Sequence, residues 1–94
     1  MFVKLFKVNK RHGTEYYLSE ILVNAAQIVY MSEDHAMVSL MREGKVNLEL
    51  HNATSFTKLR MKGSSFGEEI TVIGDPVLIE HKIFKKSKKQ LLRD

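Results

Sequence analysis

The chain has 94 residues, of which 44% are hydrophobic and 28% are charged, with no cysteine and a formal net charge of +4 at pH 7. This length permits one compact domain without a separate catalytic module, and the hydrophobic content predicts a folded core. The lack of cysteine excludes a disulfide scaffold, thiolate metal sites and a cysteine nucleophile.

The first half of the chain predicts three short strands. Apolar and aromatic residues favour a strand over residues 2–8, followed by a polar turn that ends at Gly13. A second strand is predicted over residues 14–23 and, after a break at residues 24–26, a third over residues 27–31. One helix over residues 18–28 is the alternative, because pattern alone does not separate the two.

The second half predicts further strands and one helix. Polar turns at residues 32–35 and 42–45 favour a hairpin between strands over residues 36–41 and 45–50. In the second strand, Val46, Leu48 and Leu50 alternate with polar residues. Asn52 as a cap and Gly63 as a stop predict one short helix over residues 53–62. The last strands are predicted over residues 69–73 and 77–84, with Pro76 at an edge or at the start of the final one.

These elements predict a mainly β (α+β) fold. We expect five to seven short antiparallel strands that form a meander, sandwich or partly open barrel, with the helix near residues 53–62 as a plug.

The positive charge is concentrated near the carboxyl end. Residues 82–94 carry six basic side chains and one acidic, whereas residues 1–81 carry nine basic and ten acidic. A phosphate-binding footprint is expected on a face of the fold rather than in a terminal run. We therefore predict one domain over residues 1–84 and a flexible basic tail over residues 85–94. There are two alternatives. The tail contacts phosphate or anionic lipid, or it forms a short amphipathic helix that docks on a partner.

No motif for catalysis or cofactor binding is present. The histidines at positions 12, 35, 51 and 81 lie singly in predicted turns or at strand ends, and neither the pair Glu33-Asp34 nor the pair Glu68-Glu69 suits acid–base chemistry. The five glycines are too scattered for a phosphate-binding loop. We therefore expect neither an enzyme nor a metal ion or other cofactor. Residues 1–7 alternate apolar and basic side chains, and no long apolar run follows, so we expect a cytoplasmic protein without a secretory signal or membrane span.

Basic and aromatic side chains are the candidate contacts. RNA-binding sheets stack bases on exposed aromatic residues beside lysine or arginine, and residues 2–7 have this pattern, although we expect Phe2 and Phe6 in the core. Tyr16 and Tyr17 must point to opposite faces of a strand, so exposure of at least one is expected. The candidate phosphate or partner contacts are Lys4, Lys7, Lys10, Arg11, Lys58, Arg60, Lys62, Lys85, Lys86, Lys88 and Lys89.

Several segments between residues 2 and 61 follow one another in an order that is similar to the outline of a known family. These segments are Val3-Lys4-Leu5, a polar turn with glycine, Tyr17-Leu18 to Leu22-Val23-Asn24-Ala25, Ile28-Val29-Tyr30, and Met37-Val38-Ser39-Leu40 with Gly44-Lys45 and a short helix. Over residues 2–61 this outline resembles the FlbD/SwrD-like family. The asparagine–glycine turn is spread here over residues 9–13, and the acidic start of the family's helix is replaced by residues 52–55. The resemblance implies a non-enzymatic accessory protein that acts through protein contacts.

The sequence thus predicts a small binding or regulatory protein that docks on another protein or on a second copy of itself. A flagellum- or phage-associated accessory role is the narrower expectation. Unpaired strand edges in an open sheet favour a homodimer. The alternative is a nucleic-acid-binding β-barrel module that uses the basic strand and helix residues and the lysine tail.

Overall fold

A computed structural model describes residues 1–13, 15–48, 50, 54–63 and 69–93, with side chains up to residue 85. Within these ranges the chain forms five strands, one 3₁₀ turn and two α-helices. Their order is β1 (Phe2–Lys10), β2 (Tyr16–Asn24), a 3₁₀ turn (Ala25–Gln27), β3 (Ile28–Glu33), α1 (His35–Arg42), β4 (Phe56–Met61), β5 (Glu69–Ile73) and α2 (Pro76–Arg93). The predicted mainly β fold class is confirmed.

The strands form one open antiparallel sheet in the order β2-β1-β5-β4-β3, so that β2 and β3 are its edges. β1 and β2 pair along their whole length, from Phe2 opposite Asn24 to Lys10 opposite Tyr16. The pairing of β3 with β4 is irregular, since its register shifts between Ile28 and Tyr30.

Each face of the sheet carries its own hydrophobic cluster, because alternate residues of a strand point to opposite faces. The face that we call the α2 face holds a buried cluster against Ile79 of α2; its strand members are Val3, Leu5, Val23, Leu59 and Val72. The opposite face, the α1 face, holds a cluster against Met41 of α1 and Val46; its strand members are Val8 and Phe56. Core packing on both faces therefore positions the two helices.

Four of the predicted strands are confirmed as β1, β2, β3 and β5, with small shifts at their ends. The predicted break after β2 is the 3₁₀ turn, where the Asn24 side chain accepts a hydrogen bond from the Ala26 amide. The alternative helix over residues 18–28 is wrong.

The predicted hairpin over residues 36–50 is wrong. Residues 36–41 belong to helix α1, and residues 45–48 and 50 lie outside any strand. The helix begins because Asp34 Oδ1 accepts a hydrogen bond from the Met37 amide. Met37 and Met41, one helical turn apart, then pack into the cluster on the α1 face.

The helix predicted over residues 53–62 is also wrong, since residues 56–61 form strand β4. β4 lies between β3 and β5, so both of its edges are paired, and both of its faces are covered as well: Phe56 is buried on the α1 face and Leu59 on the α2 face. The proposed cap Asn52 lies outside the described residues.

The last predicted strand, over residues 77–84, is a helix. Pro76 occupies the first position of α2, where its missing amide proton costs nothing, and Asp75 Oδ1 accepts the Leu78 amide at 2.8 Å. The expectation that Pro76 starts a strand is therefore wrong. Residues 85–93, predicted as a separate tail, continue the backbone of α2. Neither described helix combines the length and apolar content needed to cross a membrane.

Candidate interaction surfaces

Phe2 and Phe6 lie on the surface, so the expectation that they pack in the core is wrong. They are 51% and 45% exposed, respectively. Both point to the α1 face of β1, where the cluster beneath α1 includes Val8 but neither phenylalanine. Of the three residues between them, Val3 and Leu5 point to the α2 face and are buried.

Beyond the cluster on the α1 face, the paired strands β1 and β2 form a surface of apolar and charged side chains. Phe6 lies opposite Glu20 and Lys4 lies opposite Leu22, which is 65% exposed. The Lys4 ammonium is 3.3 Å from Glu20 Oε1, so the positive charge has an acidic partner within the surface itself. We call Phe2, Lys4, Phe6, Glu20 and Leu22 the Phe6–Leu22 surface; it combines large apolar side chains with one internally paired cation.

Two cation–aromatic pairs mark the turn between β1 and β2. Lys10 Nζ lies 6.0 Å from the centre of the Tyr16 ring, and Arg11 Cζ lies 4.7 Å from that of Tyr17. Tyr17 is 42% exposed and Tyr16 is half-buried. Arg11 and both tyrosines, with Glu15 and Asn47, line a shallow cleft of about 380 Å³. The aromatic rings thus hold both cations at this end of the sheet.

The other predicted basic contacts are dispersed. Lys7 is half-buried on the α2 face, whereas Lys58 and Arg60 are half-buried on the α1 face of β4. Lys62 is exposed in the turn after β4, and Lys85 is exposed on α2. Lys86, Lys88 and Lys89 lie in the α2 helix, and their side chains are outside the described part. The described candidates therefore lie on both faces of the sheet, in the turns after β1 and β4, and on α2.

The outer side of α2 presents apolar side chains that a strand interpretation misses. Val77 and Phe84 are 73% and 65% exposed, and with Glu80 and His81 they line a shallow groove of about 280 Å³. The spacing of positions 77, 81 and 84 places these residues on one side of a helix. This spacing is visible in the sequence, and it predicts the surface once residues 77–84 are assigned to a helix.

In the described ranges, no group of three His, Asp or Glu side chains is arranged to hold a metal ion. His12, His35 and His81 are exposed, and His35 Nε2 lies 3.9 Å from Glu33 Oε2 at the surface. His51 and Glu68 lie outside the described residues.

Comparisons of the chain with protein-family models, curated proteins and solved structures gave no match. The resemblance to the FlbD/SwrD-like family stays a prediction from the sequence.

Proposed function

We propose that this chain is a small non-enzymatic binding protein that docks on another protein through the Phe6–Leu22 surface. The observation that carries the proposal is the exposure of Phe6 and Leu22 on neighbouring strands of the same sheet face. Large exposed apolar side chains grouped on one sheet face are typical of interaction sites, and here the Lys4–Glu20 ion pair lies between the two. Full burial of a Phe or Leu side chain contributes about 1.5–3 kcal/mol, so a partner that covers both gains appreciable affinity.

The electrostatics of the surface favour a protein partner. Glu20 lies beside Lys4 and would oppose a phosphate chain that approached this cation. A partner with an apolar centre and polar groups around it fits the surface better, because such a composition is typical of protein interfaces. A regulatory role on a flagellar or phage assembly is the narrower form of this proposal and depends on the family resemblance.

Quantitative affinity enrichment tests the docking role. The wild-type chain, Phe6→Ser and the control Val29→Ser are used as baits in an extract of cells that naturally contain the protein. Val29 is a suitable control because it is exposed but lies on β3, at the opposite edge of the sheet. We expect Phe6→Ser to reduce recovery of a specific protein at least about tenfold, with wild-type recovery by Val29→Ser, and the purified partner to reproduce this difference. Equal recovery by all three baits would refute docking through this surface.

Nucleic-acid binding is the second candidate, and the exposure of Phe2 and Phe6 on the same face of β1 as Lys4 supports it. Stacking of a base on an aromatic side chain contributes about 1–3 kcal/mol. Fluorescence anisotropy with labelled single-stranded oligonucleotides tests this function. Binding that falls steeply with salt and is weakened by Phe6→Ser would favour nucleic acid over a protein partner. An unchanged anisotropy at low salt would reject it.

A further inference from the structure

The two edges of the sheet differ in their protection against pairing with another strand. β3 has six residues and an irregular register around Val29, whereas β2 has nine residues that pair with β1 without a shift. Short length, bulges, prolines and lysines are the usual devices that protect an edge strand. Both strands lack proline and lysine, and each has one charged residue, so the two edges differ in the greater length and regular register of β2. The outer edge of β2 is therefore the less protected of the two.

Part of this edge lies next to another segment. Asn47 and Leu48 line a shallow cleft with residues 16–18, at the start of β2. Residues 20–24 lie beyond that cleft and include the exposed Leu22. Among the described residues, the end of β2 is therefore the accessible part of the edge.

We propose that two copies of this chain form a homodimer by antiparallel pairing of residues 20–24 of β2, with Leu22 opposite Leu22 of the second copy. A two-fold interface requires a surface that is complementary to itself. In this register Ile21 lies opposite Val23 and Glu20 lies opposite Asn24, each twice. Apolar residues therefore meet apolar residues, and the carboxylates meet amide side chains.

The neighbouring registers are less complementary. Centring the pair on Glu20 places two carboxylates directly opposite each other, which is destabilising. Centring it on Ile21 places Glu20 opposite Leu22 and pairs a charge with an apolar side chain. The Leu22-centred register avoids both mismatches, and it keeps the pairing away from Asn47 and Leu48.

The net charge of the sheet region does not oppose this association. Residues 1–81, which include the whole sheet, carry nine basic and ten acidic side chains. Long-range repulsion between two sheets is consequently small. Because a five-residue strand pair is a small interface, we expect a dimer that dissociates on dilution.

Cysteine cross-linking tests the register, since the natural chain has no cysteine. Directly opposed residues of an antiparallel pair have Cα atoms about 4.5–5.5 Å apart, within the range that a disulfide spans. We expect Leu22→Cys to form a disulfide-linked dimer on mild oxidation. The controls are Glu20→Cys and Val29→Cys, and both should remain largely unlinked. The two copies of position 20 would lie about 14 Å apart in this register, and Val29 lies on the edge of β3.

Sedimentation equilibrium of the wild-type chain completes the test. The mass should rise with concentration from 10.9 kDa towards twice that value. Leu22→Lys should keep the chain monomeric, whereas Val29→Lys should not. A monomer at all concentrations, or preferential cross-linking through Glu20→Cys or Val29→Cys, would overturn the proposal. Phe6→Ser should still dimerise, because Phe6 lies on β1 and not on the edge, so failure of dimerisation and failure of partner docking are separable.

Discussion

Asp34 accepts a hydrogen bond of 2.7 Å from the hydroxyl of Thr71. Asp34 is 4% exposed, and its other carboxylate oxygen accepts the Met37 amide in the first turn of α1. Its own amide donates to the carbonyl oxygen of Phe56 at 2.8 Å. Asp34 thus links the end of β3 with α1, β4 and β5, at the start of the helix that packs on the α1 face.

We expect Asp34→Ala to lower the free energy of unfolding by about 2–3 kcal/mol, because it removes a helix cap and leaves the Thr71 hydroxyl without its acceptor. Chemical denaturation monitored by circular dichroism measures this loss. Glu33→Ala is the matched control: its side chain is exposed, so its effect should stay within about 0.5 kcal/mol. Similar losses in the two variants would contradict the role of Asp34.

Adjacent residues of β1 should differ in their effect on stability. Leu5 is 1% exposed on the α2 face, whereas Phe6 is 45% exposed on the α1 face. We expect Leu5→Ala to cost about 2–5 kcal/mol because it leaves a cavity, and Phe6→Ala to cost about 1 kcal/mol or less. Thermal and urea unfolding of both variants checks the order. A larger loss for Phe6→Ala would mean that the two faces are assigned the wrong way round.

Helix α2 offers a second matched pair of positions. Ile79 is 1% exposed in the cluster of the α2 face, and Val77, two residues earlier, is 73% exposed. Ile79→Ala should lower the free energy of unfolding by about 2–5 kcal/mol, whereas Val77→Ala should change it by about 0.5 kcal/mol. Amide hydrogen exchange should show faster opening of α2 in Ile79→Ala alone. Unchanged exchange in that variant would refute docking of α2 through Ile79.

Gly74, between β5 and α2, has a φ of +109°, and a Cβ atom placed there would lie 3.3 Å from Leu78 Cδ2. This φ is well beyond the value of about +57° at which left-handed residues cluster. We expect Gly74→Ala to cost about 2–3 kcal/mol through backbone strain and crowding. At Gly13, with φ +54° and open space around it, the same substitution should cost about 1 kcal/mol. Urea unfolding of both variants tests the difference, and equal losses would contradict it.

Local pattern was sufficient for the strands that begin the chain. In β1 the β-branched and aromatic content of residues 2–8, and the turn before β2, are properties of adjacent residues. The same holds for β5. The exposed rings of Phe2 and Phe6 were not recognisable in this way, since their exposure depends on how much of the α1 face distant residues cover.

Local sequence pattern is enough to predict a mainly β core, because the spacing of apolar residues and turn residues is a property of neighbouring positions. Long-range contacts instead fix the conformation of residues 56–61, where the spacing of Phe56 and Leu59 also fits a helix. As a strand, the same residues bury Phe56 on one face and Leu59 on the other. That arrangement is stable because β3 and β5 supply the backbone partners and both faces are covered, and these contacts come from segments that are distant in the sequence.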